Sequence, residues 1–402
     1  MKLARIKKLI LDPLIGLPIL LLFVFILPFF LTFIFQKNYI FYFITLIIIL
    51  LITEVAFNFL HRLIYGQSYR MPKKIPFKSL HIEPHPYLTY IYKKNFHSPP
   101  VEEARYPLNK GKYKTCALKT NNLKFFNGYN GDRDIELPKP NGLLRVNCLG
   151  ASTTQNYISF ENKNYSYPME LEKILKEKLK RNVEVNNCGQ GGYTSADILI
   201  RFLLQIVDTK PDVIVIYHAY ADVRSYLTEN FNSDYSHSRK NLGENYWKLK
   251  LGSMVPKFPL NFINYLNSHW LPFNTRLSLD ELVHKRKISD LKLSNNFKNG
   301  LIAYRRNLEF IIDVCEKKKI QVILGTFCHF LYTEVKNEPL HKLYNEIIDE
   351  ENKIMRELAV KNNLKLVDNA KFFPLKEKYF VDTVHFSHEG MKKLAENFSM
   401  EF

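Results

Sequence analysis

Leu143-Leu-Arg-Val-Asn-Cys-Leu149 runs straight into Gly150-Ala-Ser-Thr-Thr154, and this junction sets the reading of the whole chain. Seven mostly apolar residues followed by a glycine read as a buried strand and a sharp turn. The serine then stands at the C-terminal end of the strand, where ligands of open α/β sheets bind. Downstream the same alternation repeats. A helix is expected over about 167–180, with Leu171, Ile174, Leu175 and Leu179 at helical spacing behind Pro168, a residue tolerated in a first turn. Val183–Asn187 forms a second strand, a helix covers about 195–208, and Asp212-Val-Ile-Val-Ile-Tyr217 is the clearest strand of the chain. Helices near 299–318 and 340–361 precede the strands Gln321–Leu324 and Leu364–Val367, and a last helix begins about His388. Five strands joined by helices through right-handed crossovers predict a three-layer α/β/α sandwich on a five-stranded parallel sheet.

Working outward, the alternation stops between Val223 and Lys298, too long a gap for an ordinary connection. This insertion at about 223–298 carries Trp247 and Trp270 and reads either as a lid that shapes a substrate site or as a small helical subdomain with its own core. Residues 63–142 form a basic, Tyr- and Pro-rich connector with little helical periodicity, expected to wrap the domain of residues 143–402 as an extended lead-in.

Residues 1–62 are expected to be a membrane anchor. Two apolar stretches, 9–35 and 39–60, are each long enough for a bilayer core that takes roughly 20 helical residues. A secretory signal, with an apolar region of roughly 7–15 residues, fits poorly. Gln36-Lys-Asn38 closes the predicted transmembrane hairpin. Lys2, Arg5, Lys7 and Lys8 precede it, and Arg62, Arg70, Lys73, Lys74 and Lys78 follow. Cations stay on the cytoplasmic side of short segments, so the globular domain is expected at the cytoplasmic face of a bacterial inner membrane. Asp12, Pro13, Pro18 and Pro28 in the first stretch leave open a re-entrant element and the opposite face. Five cysteines, Cys116, Cys148, Cys188, Cys315 and Cys328, are an odd number and favour a reducing compartment. The net charge of +18 and pI near 9.4 accompany no nucleic-acid-binding motif. A lipid bilayer is therefore the expected partner, and no feature specifies an oligomeric state.

Chemistry concentrates at three points on the expected rim. Ser152 follows the first strand, Gly189-Gln-Gly-Gly192-Tyr-Thr-Ser195 follows the second, and Asp382-Thr-Val-His385 is expected after the last. A serine hydroxyl is a weak nucleophile until an imidazole takes its proton and a carboxylate fixes that imidazole's tautomer. Asp382 and His385 are spaced to do this from one tight loop. Backbone amides of Ser152 and Gly192 are the natural oxyanion donors. His388 suits a helix start, as a cap or a support to the site, Gly189 and Gly191 suit turn geometry, and Asp222 suits fixing the loop after the third strand. His385 and His388 have ligand-like spacing, yet no third ligand accompanies them, and a catalytic zinc site takes three. A flavin site would leave the serine, histidine and aspartate unexplained. No metal or cofactor is therefore expected.

Over about residues 143–398 the chain resembles the SGNH, or GDSL-like, hydrolase superfamily. Arg145-Val-Asn-Cys-Leu-Gly-Ala-Ser-Thr-Thr154 resembles its nucleophile block, and Asn187-Cys-Gly-Gln-Gly-Gly-Tyr-Thr-Ser195 its second block, with Gly192 at the family's glycine. Asp382-Thr-Val-His-Phe-Ser-His-Glu-Gly390 resembles its acid-and-histidine block. The resemblance implies a flavodoxin-like sandwich that hydrolyses esters, thioesters or acyl groups on sugars without metal or cofactor. It departs in the third block: in His218-Ala-Tyr-Ala-Asp222, Ala221 stands where the family's oxyanion asparagine is expected. Losing one such donor costs about 2.7–4 kcal/mol of transition-state stabilisation, and Tyr220, His218 or a residue of the insertion are the groups that could compensate. The expected activity is a membrane-anchored serine esterase acting on an acyl ester of a glycan, glycolipid or lipid. Acyl transfer from the same acyl-enzyme, and a non-catalytic membrane-bound glycan- or lipid-binding protein, are the alternatives.

Overall fold

The computed structural model describes residues 39–65, 82–83, 85–97, 107–108, 114–115, 118–128, 132–155, 158–160, 163–227, 231–237 and 296–402. Its central sheet consists of β1 (Leu144–Gly150), β2 (Val183–Asn187), β3 (Val213–Tyr217), β4 (Gln321–Gly325) and β5 (Lys365–Val367), ordered β5-β4-β3-β1-β2. All neighbours are parallel. From the other edge this is 2-1-3-4-5, the flavodoxin-like order, with its switch point between β1 and β3. Every residue of β3 is buried, which is why its sequence is unbroken Val-Ile-Val-Ile-Tyr rather than alternating. The expected strands are present, shifted by no more than a residue at most ends.

The helices are α1 (Tyr39–Tyr65), α2 (Ser152–Gln155), α3 (Tyr167–Leu179), α4 (Ser195–Arg201), α5 (Tyr220–Tyr226), α6 (Asn296–Lys317), α7 (Pro339–Lys361), α8 (Asn369–Phe372) and α9 (His388–Ser399). The step from β1 to β2 runs one way across the sheet and carries α3; the later steps run the other way and carry α4, α6 and α7. With right-handed crossovers, that reversal places α3 on one face and the other three on the opposite face. Accordingly α9 packs on α3, whereas α6 touches α4, α5 and α7. The helix expected to run unbroken to 208 instead widens to a π turn at Phe202–Ile206 and tightens to a 3-10 turn at Val207–Thr209. Its final carbonyl, on Thr209, accepts a 2.6 Å hydrogen bond from Nη1 of the buried Arg145.

Two compact units divide the chain: residues 79–244 with 277–402, which hold the sheet, and residues 1–78 with 245–276. The sheet unit thus reaches back to Ser79, well before residue 143, because the connector supplies part of its interior. Phe125 is fully buried, and Arg133 grips Glu172 through two bonds of 2.5 and 2.7 Å. Thr89 hydrogen-bonds to the buried Asp197 through both its N–H and its hydroxyl. In the other unit, the second apolar stretch forms α1, whose Phe43, Ile52, Val55 and Phe59 are exposed. Among the described residues, no helix is long and apolar enough to cross a membrane. The first apolar stretch, 9–35, and the two tryptophans of the insertion lie outside the described residues. The predicted transmembrane hairpin is therefore not seen. Cys148, Cys188, Cys315 and Cys328 are buried free thiols.

Candidate active site

The turn from β1 into α2 can form only around a glycine. A Cβ on Gly150 would lie 2.1 Å from Thr154 Oγ1 and 2.4 Å from the Tyr217 carbonyl oxygen, since Gly150 is in register with Tyr217. The close approach lets the Ala151 carbonyl accept the Thr154 and Gln155 amides at 3.2 and 3.0 Å. Ser152 thereby opens a helical turn on the rim, beside the switch point, with its own amide free of the helix's hydrogen bonds.

Asp382 and His385 come from a loop closed by the antiparallel bridge between Phe380 and Phe386 and by a 2.9 Å bond from Val381 N to His385 O. Phe330 N donates to Thr383 O at 2.8 Å and Leu108 N to Val381 O at 3.0 Å, pinning the loop from outside. Contrary to expectation, the loop does not directly follow the last strand: α8 and the 3-10 turn Glu377–Tyr379 intervene after β5. Asp382 Oδ1 accepts the amides of Val384 at 2.8 Å and His385 at 2.7 Å. Its Oδ2 lies 2.7 Å from His385 Nδ1, and His385 Nε2 lies 2.8 Å from Ser152 Oγ. Because a carboxylate only accepts, Nδ1 carries the proton and Nε2 presents its lone pair to the serine hydroxyl.

Burial alone would raise the Asp382 pKa, but the His385 charge and the hydrogen bonds from its ring and the two amides outweigh it, so the carboxyl sits below its ordinary value. For His385, burial pulls downward and the Asp382 carboxylate overcomes it, so the imidazole sits above its ordinary value. Both side chains remain 27% exposed, open to an incoming molecule.

Gly192 adopts a positive φ of 73° on the second rim loop, a conformation that favours glycine. Its neighbours are held tightly: Gln155 Oε1 accepts Gly191 N at 2.7 Å and Tyr92 Oη at 3.1 Å, and Tyr90 O accepts Gln190 Nε2 and Tyr193 Oη. Among the described residues, the Gly192 and Ser152 amides make no hydrogen bond. Gly189, assigned to turn geometry, serves close approach instead, since a Cβ there would lie 2.3 Å from Gln155 N.

Ala221 is buried in the first turn of α5 and its methyl donates nothing. His218 is no substitute donor: it is buried, and its Nε2 is bonded to Asp222 Oδ2. Asp222, wholly buried, also accepts Ser195 N and Ser195 Oγ at 2.7 Å each and the Tyr235 hydroxyl, tying the loop after β3 to the start of α4. Asn307 Nδ2 completes this knot by donating to Ser195 Oγ at 2.9 Å. Ser195, Tyr235 and Asn307 were not visible as site supports in the sequence, where nothing local links them. His388 is not the helix cap: Ser387 is, its Oγ accepting Gly390 N at 3.2 Å, while the His388 ring lies 3.9 Å from that of Tyr165. Among the described residues, no three His, Cys, Asp or Glu side chains are grouped so as to hold a metal ion.

The chain belongs to the GDSL-like Lipase/Acylhydrolase family, whose model matches residues 148–393 and so spans the Ser152 turn and the Asp382–His385 loop. No curated protein matches it. Among solved structures it is similar to the lipase/acylhydrolase from Enterococcus faecalis, at 18% identity over 64% of this chain and 94% of that one, with a TM-score of 0.39. An acetylxylan esterase from Geobacillus stearothermophilus is 17% identical over 64% of this chain and 93% of its own, with a TM-score of 0.38. A GDSL-like lipase from Bacteroides thetaiotaomicron is 15% identical over 64% and 86%, with a TM-score of 0.34.

Proposed function

We propose that the protein is a serine esterase in which Ser152, His385 and Asp382 form the catalytic triad. The observation that carries this reading is the unbroken chain of contacts from Ser152 Oγ to His385 Nε2 and from His385 Nδ1 to Asp382 Oδ2. In the first step Ser152 Oγ bonds to the ester carbonyl carbon as its proton passes to Nε2. The carbonyl oxygen becomes an oxyanion met by the Ser152 and Gly192 amides. His385 then returns the proton to the leaving alcohol oxygen as the C–O bond breaks, leaving an acyl-serine. Water, deprotonated by the same nitrogen, attacks that acyl group and releases the acid and free Ser152. With Ala221 in the place of a side-chain donor, the oxyanion relies on main-chain amides, and the rate is expected to sit below that of an enzyme with a third donor.

Labelling tests this reading. Wild-type protein is expected to react at Ser152 with a fluorophosphonate probe and to cleave a short-chain aryl ester, and Ser152→Ala to do neither. A wild type inert in both assays overturns it.

Attachment to a lipid bilayer, with an acyl ester of a glycan, glycolipid or lipid as substrate, is the wider part of the proposal. It is supported by the apolar stretches 9–35 and 39–60 and by the exposed apolar side chains of α1. The flanking cations favour a cytoplasmic catalytic domain. Retention in the membrane fraction after alkaline washing supports attachment, and release into the supernatant refutes it. A C-terminal reporter active only outside the cytoplasm refutes the orientation.

A further inference from the structure

The amide that Gly192 offers to an oxyanion belongs to a peptide plane that is able to turn over. Gln190 O accepts Tyr193 N at 3.2 Å, so residues 190–193 form a β-turn. The positive φ of 73° at its third residue, Gly192, but not at Gly191, is the type II pattern. Type I closes the same turn with a negative φ at the third residue. The two forms interconvert by rotation of the plane between Gly191 and Gly192, which exchanges the directions of the Gly191 carbonyl and the Gly192 N–H. With glycine at both positions, neither form meets a clash from a side chain of its own. A Cβ on Gly192 would meet nothing within 4 Å, so packing around that residue does not choose between them.

A hydroxyl from the connector does choose. In a planar trans peptide the C=O and the N–H point in opposite directions. The Gly191 carbonyl accepts the Tyr90 hydroxyl, which turns the Gly192 N–H to the side away from Tyr90. The preceding plane is held as well, since Gln155 Oε1 accepts Gly191 N at 2.7 Å. Tyr92 Oη donates to the same Oε1 at 3.1 Å and so fixes the orientation of the Gln155 amide. These holds register the turn to the serine from both sides. Gln190 N donates to Gly150 O at 3.2 Å, two residues before Ser152, and Gln155 stands three residues after it.

Tyr90 is itself fixed. Its carbonyl accepts Gln190 Nε2 at 3.0 Å and Tyr193 Oη at 2.5 Å, and its ring meets those of Tyr92 and Tyr193 edge-on at 5.5 and 5.7 Å. Its neighbour Thr89 is tied to Asp197 on α4. Burial pushes the Tyr90 phenol well above its ordinary pKa, so the hydroxyl keeps the proton it donates.

We propose that Tyr90 is a positioning residue for the oxyanion site: its hydroxyl locks the Gly191–Gly192 plane in the type II form, which aims the Gly192 N–H at the oxyanion. This rests on the esterase reading of Ser152 and on the part of the Gly192 amide in it. Tyr90 touches no reacting atom. Because Ala221 adds no side-chain donor, the aim of this one amide counts for more. The lock also comes from outside the expected domain of residues 143–402, so the connector completes the site as well as leading into the domain.

The test removes one oxygen atom from the full chain. Tyr90→Phe is expected to lower kcat for a short-chain aryl ester by about ten- to a hundredfold, less than outright loss of an oxyanion donor, because the unlocked turn still visits the type II form. KM should hardly move, since the amide is used in the transition state. Affinity for a trifluoromethyl ketone, whose adduct with Ser152 carries an oxyanion, should fall by the same factor as kcat. Tyr90→4-aminophenylalanine, whose amine can again donate to the Gly191 carbonyl, should recover part of both. A folded Tyr90→Phe protein with wild-type kcat overturns the proposal. So does a raised KM at unchanged kcat, or a fall in kcat that the ketone affinity does not follow. A Tyr90→Phe protein that does not fold, or whose loss the amine leaves unrecovered, marks a purely structural role and overturns it as well. Failure of the esterase reading is read separately: a wild type that neither labels at Ser152 nor cleaves the ester brings both proposals down together.

Discussion

Replacing Asp382 by asparagine separates geometry from proton placement. In the native loop, Oδ1 holds two backbone amides, at 2.8 and 2.7 Å, while Oδ2 faces His385 Nδ1 at 2.7 Å. Asparagine fits the same space. The two amides, which can only donate, select its single oxygen, so its NH2 group must turn toward Nδ1. That nitrogen then becomes the acceptor, the proton moves to Nε2, and His385 donates to Ser152 Oγ when it should accept from it. For this tautomer error the expected fall in kcat is about 10^4-fold, which is about 5.4 kcal/mol at 1.36 kcal/mol per tenfold. Because both amide bonds persist, the melting temperature should hardly move. Asp382→Ala should behave differently, losing activity and also about 2 kcal/mol of stability as two loop amides lose their charged acceptor. The assay is aryl-ester turnover beside thermal unfolding of wild type and both variants. An asparagine variant that keeps a tenth or more of the wild-type kcat, with its fold intact, would refute the assigned tautomer.

Three further outcomes follow from the same geometry. His385 must be neutral to act as a base and its pKa is raised by Asp382, so kcat/KM should fall as pH drops, with the midpoint of that limb above the ordinary 6.5; a midpoint below it speaks against the pair. Gly150→Ala places a methyl against Thr154 and the Tyr217 carbonyl and should cost about 1–3 kcal/mol in urea unfolding, with lowered activity as the serine turn shifts; unaltered stability would contradict the close packing. Arg145 has no exposed surface and binds Glu184 at 2.6 Å as well as the Thr209 and Glu136 carbonyls, so Arg145→Met should destabilise by about 3–5 kcal/mol; an unchanged urea midpoint would show those bonds to be dispensable.

The strands were legible because burial on both faces leaves a plain mark: Val213–Tyr217 has no polar residue to confuse the period. Ser152, Asp382 and His385 were legible as motifs. Their contact was not a local property, since the serine and histidine are 233 residues apart in the chain. The connector was harder to read. Thr89 meets Asp197 across 108 residues, and Tyr90 and Tyr92 hold the Gly191 loop through single polar atoms, so no periodicity announces that this segment builds the unit's interior. His218 is named in the sequence as a group that could replace the missing donor, but the carboxylate four residues on takes its Nε2, a pairing that only the fold reveals. Ser387 rather than His388 caps α9 because a short hydroxyl side chain can fold back to the Gly390 amide.

The bridge between Phe380 and Phe386, with the double amide grip on Asp382, makes the carboxylate and the imidazole one mechanical part. A triad is usually thought of as three bodies to be brought into line. Here the carboxylate and the imidazole are aligned by bonds within a single loop. The remaining task is a docking of two bodies, that loop and the turn after β1, and its success is measured by one coordinate, the distance from His385 Nε2 to Ser152 Oγ. Drift of the scaffold over evolutionary time, or under heat, would thus detune the proposed reaction along that one coordinate while leaving the tautomer intact.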